Sequence, residues 1–139
     1  MPLSVIKTIF ALLLLGAGTG AFLTMMARFG RPGGEARSER LRRLHKAFGW
    51  IYVGLLAPLV VGGGIFLVRM GDGLTIRGGL HVLLALSLLA VLLLKILTVK
   101  THRQMIGFAR SLGMAAFAIT LVIALMTAGW FVLLSAAAR

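Results

Sequence analysis

Residues 78 to 99 read GGLHVLLALSLLAVLLLKILTV, a run in which His81 and Lys95 are the only ionisable residues. A helix needs about 20 apolar residues, at about 1.5 Å each, to cross the roughly 30 Å hydrocarbon layer of a membrane. Three further apolar runs cover residues 3–27, 47–68 and 106–138. Backbone groups within lipid must bond inside their own segment or in a closed barrel, and these runs lack the alternation of barrel strands. Each run is therefore predicted to be a helix.

The composition agrees with this assignment. Hydrophobic residues make up 60% of the 139 residues and only three residues are acidic, a balance that excludes a water-soluble domain. The sequence predicts an all-α fold, an integral membrane four-helix bundle that contacts the lipid bilayer, with residues 1–139 as a single transmembrane domain.

Charge predicts the orientation of the helices. The join at residues 28–46 is strongly basic, and further cations surround the third join, which places both joins in the cytoplasm. The second join, residues 69–77, is glycine-rich and nearly balanced in charge. The bundle is therefore predicted to run up-down-up-down with both termini on the non-cytoplasmic side. Residues 30–39 are predicted to be a loop, whereas residues 40–46 could already form the polar first turns of helix two.

Several classes of function are excluded. The chain has no cysteine, so thiolate metal sites and thiol nucleophiles are absent. No dinucleotide-binding or phosphate-loop glycine spacing is present, and no acid lies inside an apolar run to complete a hydrolytic triad. The net charge of +12 arises mostly from cations in the joins, which favours a topological role and no nucleic-acid partner.

The three histidines are the candidate functional residues. Ionisable residues in transmembrane segments are costly and usually mark a function. Helices two and three are expected to be antiparallel, which brings His45 and His102 to one cytoplasmic level, where they could clamp one metal. His81 lies at the opposite face, roughly 30 Å from His102 along the helix. Gly49, one turn after His45, leaves space for a bulky ring.

Two axial imidazoles suit a low-spin haem, so His45 and His102 are candidate ligands of haem b. A second haem at His81 would need Met70, Met126 or another subunit as its partner. Cations that could meet the propionates are Arg77, Lys95 and Arg43. Each also has a plainer interpretation, because boundary histidines often face headgroups and Lys95 can extend its amine to the membrane surface.

Four short stretches resemble a known family. They are residues 44–52 (LHKAFGWIY), 77–81 (RGGLH), 95–100 (KILTVK) and 127–131 (TAGWF). The pattern resembles small bacterial membrane b-type cytochromes with a cytochrome b561-like bundle. The resemblance implies haem ligation by His45 and His81 and a location in the bacterial inner membrane. The family pairs histidines on four helices for two haems, whereas this sequence has three histidines.

The leading functional hypothesis is a haem b electron-transfer protein or subunit that passes electrons between a quinone or redox partner and another redox protein. As such it would be an electron carrier within an oxidoreductase, alone, as a homo-oligomer or with other membrane subunits. The alternative is a haem-free structural or assembly subunit that packs through its glycine-rich helix two. A small transporter ranks last, because the three acids all lie in the joins.

Overall fold

A computed structural model of the chain describes residues 3–30, 35–71, 73–101 and 106–129. Within these residues the fold is all-helical. Helix α1 spans Leu3–Gly30, α2 spans Glu35–Met70, α3 spans Ile76–Thr101, and α4 spans Ile106–Ala124, followed by a π-helical turn at Leu125–Gly129.

All four α-helices of the described residues are long and apolar enough to cross a membrane. The candidate spans are Val5–Arg28, Arg37–Met70, Ile76–Thr101 and Gly107–Thr127. The predicted helical class is therefore confirmed, and the four spans indicate a multi-pass membrane protein. The predicted continuation of the fourth helix beyond residue 129 lies outside the described residues.

Helix α2 begins earlier than the sequence predicts. Residues 30–39 were expected to be a loop and residues 40–46 to be able to form the first turns of helix two, yet the helix begins at Glu35 and is continuous from there into the apolar part of α2. The inward face of α2 is formed by residues that recur at spacings of three and four, namely 41, 45, 48 and 52. This spacing continues from the apolar part of the helix into its basic part. The cations therefore project from a rigid helix, which is 36 residues long.

Local signals define the turn between α2 and α3. Gly71 adopts a left-handed backbone conformation with φ of 54°, which ends α2 directly after Met70. The hydroxyl of Thr75 accepts a hydrogen bond from the amide of Gly78 at 3.1 Å, as an N-cap does. This cap starts α3 at Ile76, two residues before the apolar run begins.

The chain divides into two compact units, Met1–Gly62 and Gly63–Arg139. In the first unit, α1 and the first part of α2 supply the buried residues. The buried residues of α1 are unbranched at Cβ and include two small ones: Leu14, Ala17, Gly18 and Met25. On α2 the aromatic Tyr52 is buried. Close approach of the two helices is possible because residues 16–21 of α1 carry little side-chain volume.

In the second unit, α3 and α4 pack as an antiparallel pair. Nη2 of Arg77, at the start of α3, donates a hydrogen bond to the carbonyl of Met126, at the end of the helical region that follows α4. The buried residues of α4 recur at spacings of three and four and are mostly small: Ala109, Leu112, Ala116, Thr120 and Ala124. On α3, Leu88 and Thr98 are buried. Small residues on α4 allow the bulkier α3 to pack closely.

Candidate functional site

The imidazole of His45 bonds to the backbone of α1. Its Nδ1 lies 2.8 Å from the carbonyl oxygen of Ala21. A carbonyl oxygen can only accept, so Nδ1 carries the proton and donates it. In the neutral ring, Nε2 then holds the lone pair, which is the form that ligates a metal ion.

The Ala21 carbonyl is accessible because the surrounding part of α1 has almost no side chains. Residues 16–21 read GAGTGA. On Gly20 a Cβ atom would lie only 2.8–2.9 Å from ring carbons of Phe48, one turn after His45. The Phe48 ring thus occupies the space that a side chain at residue 20 would take. Gly20 therefore allows α2 to lie close to α1.

A second lone pair makes the contact possible. An α-helical carbonyl uses one lone pair within its own helix and retains one for another donor. The Ala21 carbonyl also receives part of a shared bond from Thr24 Oγ1, at 3.0 Å, while the same hydroxyl lies 2.8 Å from the Gly20 carbonyl. The Ala21 carbonyl therefore accepts hydrogen bonds from both Thr24 and His45 in addition to its bond within the helix.

Space remains beside His45 at Gly49. Nothing lies within 4 Å of the position that a Cβ atom would take on Gly49, one turn farther along α2. A planar group could approach the helix backbone there, as the sequence predicts.

His81 lies in a different setting, on α3 in the second unit. Its Nδ1 atom is buried and has no hydrogen-bond partner among the described residues. A buried polar atom without a partner costs about 1–3 kcal/mol, so such an atom calls for an explanation. No carbonyl of the described residues accepts a hydrogen bond from this Nδ1 atom, so it does not select a tautomer as Nδ1 of His45 does.

Three cations were predicted to meet an anionic group. Arg77 donates to the Met126 carbonyl, and Arg43 is 80% exposed with its Nε 3.3 Å from Glu39 Oε1. Lys95 is half-buried on α3 and makes no ion pair with any described residue. Lys95 alone of the three is therefore uncommitted within the described part of the chain.

His102 lies outside the described residues, so the predicted pairing of His45 with His102 stays a prediction. No group of three or more His, Cys, Asp or Glu residues that could hold a metal ion is found in residues 3–30, 35–71, 73–101 and 106–129. A site with two protein ligands, as an axial haem pair would be, does not need such a group. The single oriented imidazole of His45 fits one half of that pair.

Sequence reasoning missed the part played by α1. The acceptor for His45 is a main-chain carbonyl, which no residue type marks. The run GAGTGA at residues 16–21 was a usable signal, since consecutive small residues in an apolar helix permit close contact with a neighbour.

No family model matches the chain, and neither a curated protein nor a solved structure matches it significantly. A helical membrane bundle can support many activities. Function is accordingly argued from the residues described above.

Proposed function

We propose that this chain is a haem b electron-transfer protein or subunit of the bacterial inner membrane. One observation carries the proposal, the hydrogen bond from His45 Nδ1 to the Ala21 carbonyl. Metal-ligating histidines almost always donate their second ring N–H to a carbonyl, a carboxylate or water, which fixes the ring and raises the basicity of the ligating nitrogen. His45 already has this arrangement.

The residues around His45 have defined tasks in this proposal. The Ala21 carbonyl orients the ring and selects the tautomer, while Gly49 leaves the helix backbone open to a planar group. Haem, when bound, supplies reversible one-electron transfer at its iron. The apolar helices provide the low-dielectric surroundings that tune such a centre.

His102 is the proposed second ligand beside His45, and the family resemblance favours His81 as a further haem ligand. The unpartnered Nδ1 of His81 supports a role for that residue as a ligand in a second haem site. Electrons would pass between a quinone or redox protein and another redox subunit, with both basic joins in the cytoplasm and both termini outside. The chain would serve as an electron carrier without turning over a substrate by itself.

A haem-free structural or assembly subunit is the second candidate. The observation that favours it is the glycine segment at residues 62–64, where nothing lies within 4 Å of any position a Cβ atom would take. Neighbouring apolar side chains are exposed, with Val61 at 62% and Ile65 at 51%. Such a surface could pack against a larger membrane complex.

The test is a reduced-minus-oxidised visible spectrum of the protein purified in detergent from haem-supplied cells. Wild type is compared with His45→Ala, His81→Ala and His102→Ala, and haem per chain is measured for each. Lys46→Ala is the matched control, because Lys46 is exposed and has no bond to α1. We expect a b-type band in wild type and Lys46→Ala, and its loss in His45→Ala.

Loss of the band in His102→Ala would assign the second ligand to His102, and a lower haem content per chain in His81→Ala would assign a second haem to His81. A wild-type spectrum without bands after haem supply would overturn the proposal and favour the structural subunit. Retention of a full band in His45→Ala would overturn the role of His45.

A further inference from the structure

The helical start of α2 carries a concentration of positive charge. We call residues 37–46 the basic extension. Its cations are all exposed: Arg37, Arg40, Arg42, Arg43 and Lys46. Because the segment is helical, these charges are held in a fixed order along an axis rather than spread over a mobile loop.

Most of this charge lies away from the face that contacts α1. His45 bonds to α1 and Phe48 contacts it, which defines the inward face. At about 100° per residue, Arg43, Lys46 and Trp50 project from the opposite side of the helix. We call the side of α2 that carries Arg43, Lys46 and Trp50 the outer face. It runs without interruption from the cations to Trp50.

Trp50 gives the depth of the outer face in the membrane. Its side chain is 68% exposed, and the next residue, Ile51, is 53% exposed. Tryptophan is enriched at the membrane–water interface, with apolar residues beyond it facing lipid. Lys46 lies about 6 Å and Arg43 about 10 Å farther out along the axis. The headgroup layer of one leaflet is about 5–8 Å thick, so these side chains reach the level of the lipid phosphates.

The positive charge is only partly neutralised within the helix. Glu39 bonds to Arg42 at 2.9 Å and to Arg43 at 3.3 Å. Arg40 and Lys46 make no ion pair with any described residue. The basic extension therefore has unsatisfied cations at the depth where phosphodiester groups lie.

We infer that the basic extension binds the headgroups of anionic phospholipids in the leaflet at this end of α2. Clusters of lysine and arginine next to a transmembrane helix attract anionic lipids over a distance of about a Debye length. The position beside Trp50 favours lipid over an acidic soluble protein, which would have to enter the headgroup layer to reach Lys46.

The experiment reconstitutes the full chain in phosphatidylcholine vesicles and measures association of spin-labelled phosphatidylglycerol relative to spin-labelled phosphatidylcholine by electron spin resonance. The test variant is R40Q/K46Q. The matched control is R69Q/K100Q, which removes two exposed cations outside the basic extension. A charge-conserving variant, R40K/K46R, checks that the substitutions themselves leave the helix intact.

We expect wild type to prefer phosphatidylglycerol, and R40Q/K46Q to lower the preference by about threefold, with a smaller difference in high salt. The control and the charge-conserving variant should keep the wild-type preference. An equal fall in R69Q/K100Q would overturn the inference, since it would mean attraction by net charge alone. Absence of any preference in wild type would also overturn it and favour an acidic protein as the partner.

Discussion

His45 and His81 both lie on apolar helices, but their rings are held in different ways. The Nδ1 atom of His45 donates to the Ala21 carbonyl, whereas the Nδ1 atom of His81 is buried without a partner in the described part of the chain. His45 owes its partner to a segment of α1 with hardly any side chains. No comparable carbonyl contact is made by the Nδ1 atom of His81 within the described residues.

The difference shows that the state of an intramembrane histidine depends on whether a main-chain carbonyl of a neighbouring helix lies within hydrogen-bond distance of its ring. A small-residue neighbour exposes a carbonyl, which fixes a tautomer and an orientation. His81 has no such contact for its Nδ1 atom among the described residues, although the buried residues of α4 are mostly small, and an unsatisfied buried nitrogen destabilises the protein until something binds it. The stability of haem-free protein should therefore respond oppositely to changes at the two sites.

The largest effect is expected from Gly20→Leu. A leucine side chain would overlap the Phe48 ring, which already lies 2.8–2.9 Å from the Cβ position, and would push α2 away from the Ala21 carbonyl. Overpacking of this kind costs about 1–3 kcal/mol, and we expect the upper end. Thermal unfolding in detergent measures the loss. Gly16→Leu is the control, because nothing lies within 4 Å of its Cβ position. Equal loss in both variants would contradict the Phe48 contact.

His81→Leu is expected to stabilise the haem-free protein. The substitution removes the unpartnered Nδ1 atom and keeps an apolar side chain of similar volume, so up to about 1–2 kcal/mol of burial cost is relieved. The measurement is the free energy of unfolding in detergent at increasing denaturant. A destabilised variant would mean that His81 has a partner in the folded protein, and would end the contrast with His45.

His45→Leu should destabilise the same haem-free protein by about 1 kcal/mol. It removes the bond to Ala21, and interhelical hydrogen bonds in membranes contribute about 0.6–2 kcal/mol. The same substitution at the two histidines thus predicts opposite signs in one assay. If His45→Leu and His81→Leu shift stability in the same direction, the difference in ring environment does not determine stability.

The smallest effect is expected from Glu39→Gln. Glu39 contacts Arg42 and Arg43 at the exposed start of α2, where salt bridges contribute little. The unfolding midpoint should not move measurably. A clear fall would show that the start of α2 depends on this ion pair, so that the position of His45 also depends on it.

The sequence predicted the helical class and four membrane spans because long apolar runs carry a strong signal. It allowed α2 to begin at residue 40 but assigned residues 35–39 to a loop, since a charged stretch beside Pro32 and two glycines gives no apolar run, whereas α2 begins at Glu35. The bond of His45 to Ala21 was not predictable in the same way, because every residue has the same carbonyl. The unpartnered nitrogen of His81 likewise depends on packing that no spacing encodes.

The continuity of α2 through residues 35–46 has a mechanical consequence. The cations and the imidazole lie on one continuous helix, so a rotation of this part of α2 about its own axis moves Arg40, Arg43 and His45 together. An imidazole atom about 6–7 Å from the helix axis sweeps about 1 Å for each 10° of rotation. A displacement of that size along the direction of the bond would lengthen the 2.8 Å contact with Ala21 beyond the roughly 3.5 Å limit of a hydrogen bond. Rotation of α2 in that direction would therefore break the hydrogen bond from His45 to Ala21 within the first unit.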